Sequence, residues 1–234
     1  MGAGVLKGGE WAIRRTGGSV IPAMTSADFI SLLQGAAVTV ALSLAGIVIG
    51  VPLGLSLAIL LWRRVPLAQL IVKTYVSLIR ATPLVTLGLL IYFALPAIGL
   101  QIGPVTAAIL TLAINTTAFN CEIWRAGLTD FPKDQIESAQ AFGMSWPHTF
   151  RRIMLPQVAR TCLPALVNEM TLLLKGSPAI AVVGIVDVTR AAVRIGANTY
   201  EPLPPFLLAT ALYAAIVFVF VRAQRWLEGS SKAR

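Results

Sequence analysis

From Phe29 to Trp62 the chain carries no charged residue, a run of 34 that stops at Arg63-Arg64. A helix needs about 20 apolar residues to cross a bilayer, so this run is a crossing with length to spare for tilt. The remainder follows the same pattern. Only 12% of residues are charged, 56% are hydrophobic and the mean hydropathy is +0.78, whereas soluble domains carry about 25% charged residues. A water-soluble globule is therefore excluded, and so is a disordered chain, which requires low hydrophobicity. Residues 1–28 hold Lys7, Glu10, Arg14, Arg15 and Asp28 and lack the apolar core of a cleavable leader, so the first run is expected to stay in the mature protein.

The expected fold is all-α and integral to the membrane, with five spans at about 30–62, 68–95, 104–124, 157–185 and 204–221. A tail over 1–28 precedes the transmembrane domain of 29–225, and a second tail covers 226–234. In the first span Gly46, Gly50 and Gly54 recur every four residues, which opens one face to close approach by another helix of the chain or by a second subunit. Inside the second, Arg80-Ala81-Thr82-Pro83 predicts a kink or break, because proline lacks a donor and disfavours helix at the residue before it. The third carries Asn115, Thr116, Thr117 and Asn120, suited to interhelical hydrogen bonds or to lining a path.

Charge asymmetry sets the orientation. Eleven Lys and Arg fall on the side of Arg63-Arg64, the 125–156 loop with Arg160 just beyond it, and the C-terminus, against five on the other. The loop and the C-terminus are therefore expected in the cytoplasm, although the basic N-terminal tail runs against the count. These cations lie between apolar runs and do not form a basic face with interleaved aromatics, so nucleic acid is not an expected partner. Cys121 and Cys162 have neither metal nor redox spacing and are expected to be packing residues.

The one long polar stretch between spans has an ordered composition. Pro132 with Asp130 and Asp134 at its front and Gly143 at its end are start and stop signals for a short helix, about 133–143. Ile136, Ala139 and Phe142 would form its apolar stripe, with Ser138 and Ala141 small enough to enter a groove on another protein. Trp146, Pro147 and Arg151-Arg152 then lead to Ile153, Leu155 and Pro156 at the next span.

These residues resemble the membrane subunits of ATP-binding cassette importers, in particular the polar amino acid permeases related to the histidine and glutamine permeases. That family's cytoplasmic signature, Glu-Ala-Ala, three residues, Gly, nine residues, Ile, one residue, Leu-Pro, stands here as Glu137-Ser138-Ala139, Gly143, Ile153 and Leu155-Pro156. Ser138 replaces the usual Ala. Arg80-Ala81-Thr82-Pro83-Leu84 and Glu122-Ile123-Trp124-Arg125-Ala126-Gly127 are similar to further family segments, and the resemblance extends over most of 29–225. Gly176-Ser177-Pro178-Ala179 departs from the Ser-Ser-Leu of many relatives.

The resemblance implies a multi-pass protein of the bacterial inner membrane that forms half of a translocation path for polar amino acids or related small zwitterions. It implies as partners two ATPase subunits, a second permease subunit and a soluble substrate-binding protein. Glu137, Ser138, Ala139, Phe142, Gly143, Ile153, Leu155 and Pro156 would couple the path to the ATPase. Arg190, Arg194 and Glu201, beyond the fourth span, are candidates for contact with the binding protein.

The chain has no G-x-x-x-x-G-K-[ST] phosphate loop, so ATP and Mg belong to the partner and this chain is not itself expected to be catalytic. An ionised group at mid-membrane costs about 2.5–3.5 kcal/mol unless paired or wet, which makes Glu169 and Lys175 candidates for a cavity. With Asn168, Arg80, Thr82 and Ser177 they make up the candidate substrate path, an acid for an ammonium and donors for a carboxylate. Interhelical hydrogen bonding is the competing account. A stand-alone, gradient-driven transporter or channel is the alternative function, but it leaves the docking loop unexplained.

Overall fold

The structure, a computed structural model, describes residues 25–232. Lys7, Glu10, Trp11, Arg14 and Arg15 of the N-terminal tail and Arg234 lie outside the described residues. Every regular element among the described residues is helical: α1 (Ser26–Trp62), α2 (Pro66–Ala81), α3 (Leu84–Ala97), α4 (Pro104–Thr129), α5 (Lys133–Ala141), α6 (Trp146–Thr149), α7 (Leu155–Gly176), α8 (Val188–Thr199) and α9 (Leu203–Lys232). Thr25 opens α1 with a capping box, its hydroxyl accepting from the Asp28 N–H at 3.3 Å while Asp28 accepts from the Thr25 N–H at 3.1 Å. This satisfies two N–H groups that the helix itself leaves without partners.

The glycine stripe of α1 packs within the chain, against α4. A Cβ on Gly46 would stand 2.7 Å from Leu112 Cβ, and one on Gly54 would stand 2.9 Å from Asn120 Cβ. Thr116 blocks the same space at Gly50. Glycine is thus required at all three positions for the backbones to meet. The register also sets topology: eight residues along α1 match eight along α4 in the same direction, so the two helices run parallel. The chain between them must return across the membrane.

That return is made by α2 and α3, which are long and apolar enough to span only together and are bent by 113° at Thr82-Pro83. The single second span expected over 68–95 is therefore two helices. Pro83 lacks the N–H that would continue α2, and Thr82 before it is extended (φ −94°, ψ 127°), as the residue preceding a proline prefers. With four further helices long and apolar enough to cross, the bundle makes five crossings.

Three more expected boundaries move. The third span runs to Thr129, past Trp124, because nothing before Asp130 interrupts it. The fourth helix starts well before Gln157: α6, a π-helical turn over Phe150–Met154 and α7 follow without a gap. The Pro156 ring would strike the Arg152 carbonyl of a regular helix, and the widened turn, closed by Leu155 N–H to Phe150 O, accommodates it. After Gly176 the helix does not open but tightens to a 3₁₀ helix over Ser177–Val183, ending at Gly184 with φ +99°. Pro178 sits in its first turn, where a missing donor costs least.

The core forms stacked clusters along the bundle axis. At the loop end Leu61, Val76, Cys121, Trp124, Met154 and Val158 pack together; at the far end Leu32 packs with Val188, Ala192 and Ile195 of α8 and Ala209 of α9. Cys121 and Cys162 are free thiols buried in the loop-end cluster.

Candidate functional site

Two groups of candidate residues are placed by this fold. The first surrounds α5. Its helix ends at Ala141, not 143, in a Schellman closure: Gly143 N–H donates to Gln140 O at 2.9 Å and Met144 N–H to Ala139 O at 3.0 Å. The closure requires the left-handed φ of +75° at Gly143, a conformation that costs an L-residue about 1–2 kcal/mol.

The early end corrects the expected apolar stripe. Ala139 is buried against its own chain and Ile136 packs on the loop-end cluster, whereas Phe142, as C-cap, is 89% exposed. The stripe thus mounts the helix, and the outward face belongs to Glu137, Ser138 and Phe142, all exposed. Ile153 is half-buried and closes an open groove of 370 Å³ with Ser138, Phe142 and Met144. Leu155 and Pro156 begin α7. Gln157 Nε2 donates to Gln135 Oε1 at 2.8 Å, tying α5 to α7. Trp146 stacks on Trp62 of α1, centroids 5.4 Å apart and 14° between planes. The loop is fastened to two crossings, α1 and α7.

The second group lies within the membrane bundle and is more scattered. Glu169 is buried on α7 without an ion pair, the only one among the described residues being Arg125–Glu122 at 2.6 Å. Arg80 lies within electrostatic reach of Glu169 and rests over the Phe119 ring, 5.3 Å from guanidinium carbon to centroid. The Thr82 hydroxyl donates to Leu78 O at 2.7 Å, inside its own helix. Ser177 is buried with its hydroxyl unpartnered. Asn168 and Lys175 are exposed, on other faces of α7 than Glu169. Within one chain these residues do not converge on a closed pocket.

A polar cluster at the far end was not foreseen. Asp187 caps α8, Oδ1 accepting from the Arg190 N–H at 2.8 Å, while Oδ2 accepts from the Tyr213 hydroxyl at 3.1 Å. The Arg190 side chain donates to the Ala181 carbonyl, which binds α8 to the 3₁₀ segment. Arg194 and Glu201 stay exposed. The available signal was an Asp ahead of an amphipathic run and a tyrosine in an almost wholly apolar helix.

Comparison with known proteins agrees with this arrangement. The family described as binding-protein-dependent transport system inner membrane component matches residues 50–232. The chain is 34% identical over 203 residues to the arginine transport system permease protein ArtQ of Bacillus subtilis, covering 86% of this chain and 93% of that one. It is 35% identical over 221 residues to the nopaline transport system permease protein NocM of Agrobacterium fabrum, covering 88% and 92%. The crystal structure of an amino acid ABC transporter with histidines aligns over 89% of this chain and 100% of that chain, with TM-score 0.79 and 31% identity. The inward-facing MetNI methionine ABC transporter, 21% identical, shares the fold at TM-score 0.76 over 88% of this chain. In this family the ATPase is a separate subunit. The chain therefore belongs to the binding-protein-dependent transport inner membrane components, in their polar amino acid group, as the multi-pass permease subunit of an ATP-driven ABC importer and not a gradient-driven carrier.

Proposed function

We propose that this subunit carries an amino acid or a related small zwitterion and is driven through α5, with the loop and the C-terminus in the cytoplasm. The observation that carries the coupling role is the combination of an exposed Glu137-Ser138-Phe142 face with a helix anchored from behind by Ala139 and closed by left-handed Gly143. Such a face is the convex partner for a groove on an ATPase subunit, and its attachment to α1 and α7 gives a docking event somewhere to act. Two ATPase subunits, a second permease copy or paralogue and a soluble binding protein complete the assembly. ATP and Mg are held by the ATPase, and this chain performs no chemistry.

For the substrate, relatives named for arginine, for nopaline and for histidine, lysine, arginine and ornithine transport support an amino-acid-like cargo. Glu169, buried and without an ion pair, is suited to an ammonium group. Arg80, Asn168, Lys175 and Ser177 supply donors along a path completed by the second permease subunit, to which Thr82, its proton given to Leu78 O, can offer only an acceptor. Ser177 is the clearest of these, since a buried unpaired hydroxyl costs about 1–3 kcal/mol unless water or a ligand meets it.

The test is ATP hydrolysis by the complex reconstituted in lipid with its ATPase and binding protein, comparing the native chain with Gly143→Pro and Glu137→Arg. Stimulation and uptake are expected to fall together while insertion stays normal. Unchanged stimulation in both variants would overturn the coupling role.

A further inference from the structure

A cavity of 560 Å³ opens where α1, α2 and α4 end near the loop, and its lining is cationic: Arg64, Lys73, Arg125 and Lys133, with Trp62 and Gln69. No acid lines it among the described residues. Arg125 is partly neutralised by Glu122 at 2.6 Å, while the other three cations have no ion pair among the described residues. The three cations without an ion pair repel one another, and an anion placed among them would relieve that repulsion.

The backbone fixes where one of these cations stands. Arg64 adopts φ +56°, a left-handed conformation that glycine or asparagine would adopt at less cost. Gln69 Nε2 reaches back to Leu61 O at 3.4 Å across the same turn. The left-handed residue ends α1, with its N–H on Leu61 O at 3.1 Å, and fixes Arg64 among the residues lining the cavity.

The surroundings select the kind of anion. Leu70 and Ile71, which flank the cavity residues on α2, are 68% and 60% exposed, and Trp62, an aromatic of the kind enriched at membrane interfaces, lines the cavity. Cations at a water boundary beside bare apolar side chains match an amphiphile, a phosphate head with hydrocarbon attached. The cavity is built from membrane helices, with only Lys133 coming from the loop.

We propose that this cavity binds the phosphate of an anionic phospholipid headgroup in the cytoplasmic leaflet. The inference rests on the reading that places the loop end in the cytoplasm. Phosphate is the recognised chemistry, and its two sources, lipid and free anion, are separable by experiment.

The full chain in dodecyl maltoside is titrated with a short-chain fluorescent phosphatidylglycerol and with the phosphatidylcholine of the same tails. The phosphatidylglycerol probe is expected to bind about tenfold more tightly, the preference that cations near a lipid surface confer. R64Q/K73Q is expected to reduce that preference below about twofold, and R64K/K73R to keep it, each variant eluting as the native chain does on gel filtration. Equal binding of the two lipids, or a preference that survives R64Q/K73Q, overturns the proposal. Displacement by millimolar inorganic phosphate assigns the cavity to a free anion, and displacement by added ATPase subunit assigns its cations to a protein contact; either result overturns the lipid. The titration itself contains no ATPase, so its failure leaves the coupling role standing, just as an uncoupling failure at Gly143 leaves the lipid result standing.

Discussion

The loop at one end of the bundle and the polar path through its middle use opposite strategies. Around α5 the functional positions lie within 20 residues of one another, from Glu137 to Pro156, and local geometry holds them: a Schellman closure, a stacked tryptophan pair, a glutamine tie. In the membrane, Arg80, Glu169 and Ser177 come from three different elements, and one of them retains an unpartnered hydroxyl. The loop is a rigid joint that works by shape. On the proposed reading the path is an incomplete surface that works by chemistry and is finished by another subunit or a substrate.

The sharpest way to break this contrast is to remove the scaffold both regions share. Gly50→Leu would drive a side chain into Thr116 and force α1 off α4. Overpacking costs about 1–3 kcal/mol even in yielding cores, and here the obstacle is a helix surface. Loss of the monodisperse peak on gel filtration in detergent is the expected outcome; a native elution profile would show that the helix pair tolerates separation.

Next in size is the loop. Gly143→Pro abolishes both the positive φ and the N–H that closes α5, and stimulated ATP hydrolysis should fall at least about tenfold. Gly143→Asn, which enters the left-handed region more readily than other residues, should retain most of it. A fall in both variants would mean that the turn's conformation is not what matters.

The path should respond differently. Glu169→Gln removes a buried acid without changing shape, and losing a charge-assisted hydrogen bond to an ammonium should raise the KM for uptake about tenfold. ATP hydrolysis without substrate should persist. If that hydrolysis fell while KM stayed constant, Glu169 would belong with the joint rather than the path.

The smallest effect belongs to the outer cluster. Tyr213→Phe leaves Asp187 Oδ2 without its donor while Oδ1 keeps the Arg190 N–H, a loss of about 1 kcal/mol. A small drop in Tm in detergent, with ATP hydrolysis unchanged, is expected.

The same contrast explains what was legible in the sequence. The loop could be placed because its signals are local: Pro132 and Asp134 start a helix and Gly143 stops it. Two parts differ: counting at helical spacing kept Phe142 on the inner stripe although the chain had already left the helix, and the stretch after Trp146 is helical well before the expected start at Gln157. The break at Thr82-Pro83 was readable from proline chemistry, but the 113° bend depends on what α2 and α3 pack against. The glycine stripe predicted a close neighbour and could not say whether it was α4 or a second subunit. The Asp187–Tyr213 contact spans 26 residues, and which faces of α8 and α9 meet is decided by tertiary packing that no periodicity encodes.

The central claim is that the outward face of α5 meets a separate ATPase, and a cross-link tests it most directly. The two native cysteines are buried, so Phe142→Cys and, as a control at the opposite end, Arg194→Cys each introduce one accessible thiol. With a short thiol-reactive photo-cross-linker in reconstituted membranes, Phe142→Cys is predicted to trap the ATPase subunit and Arg194→Cys is not. Trapping from Arg194→Cys alone, or from neither, would contradict the account.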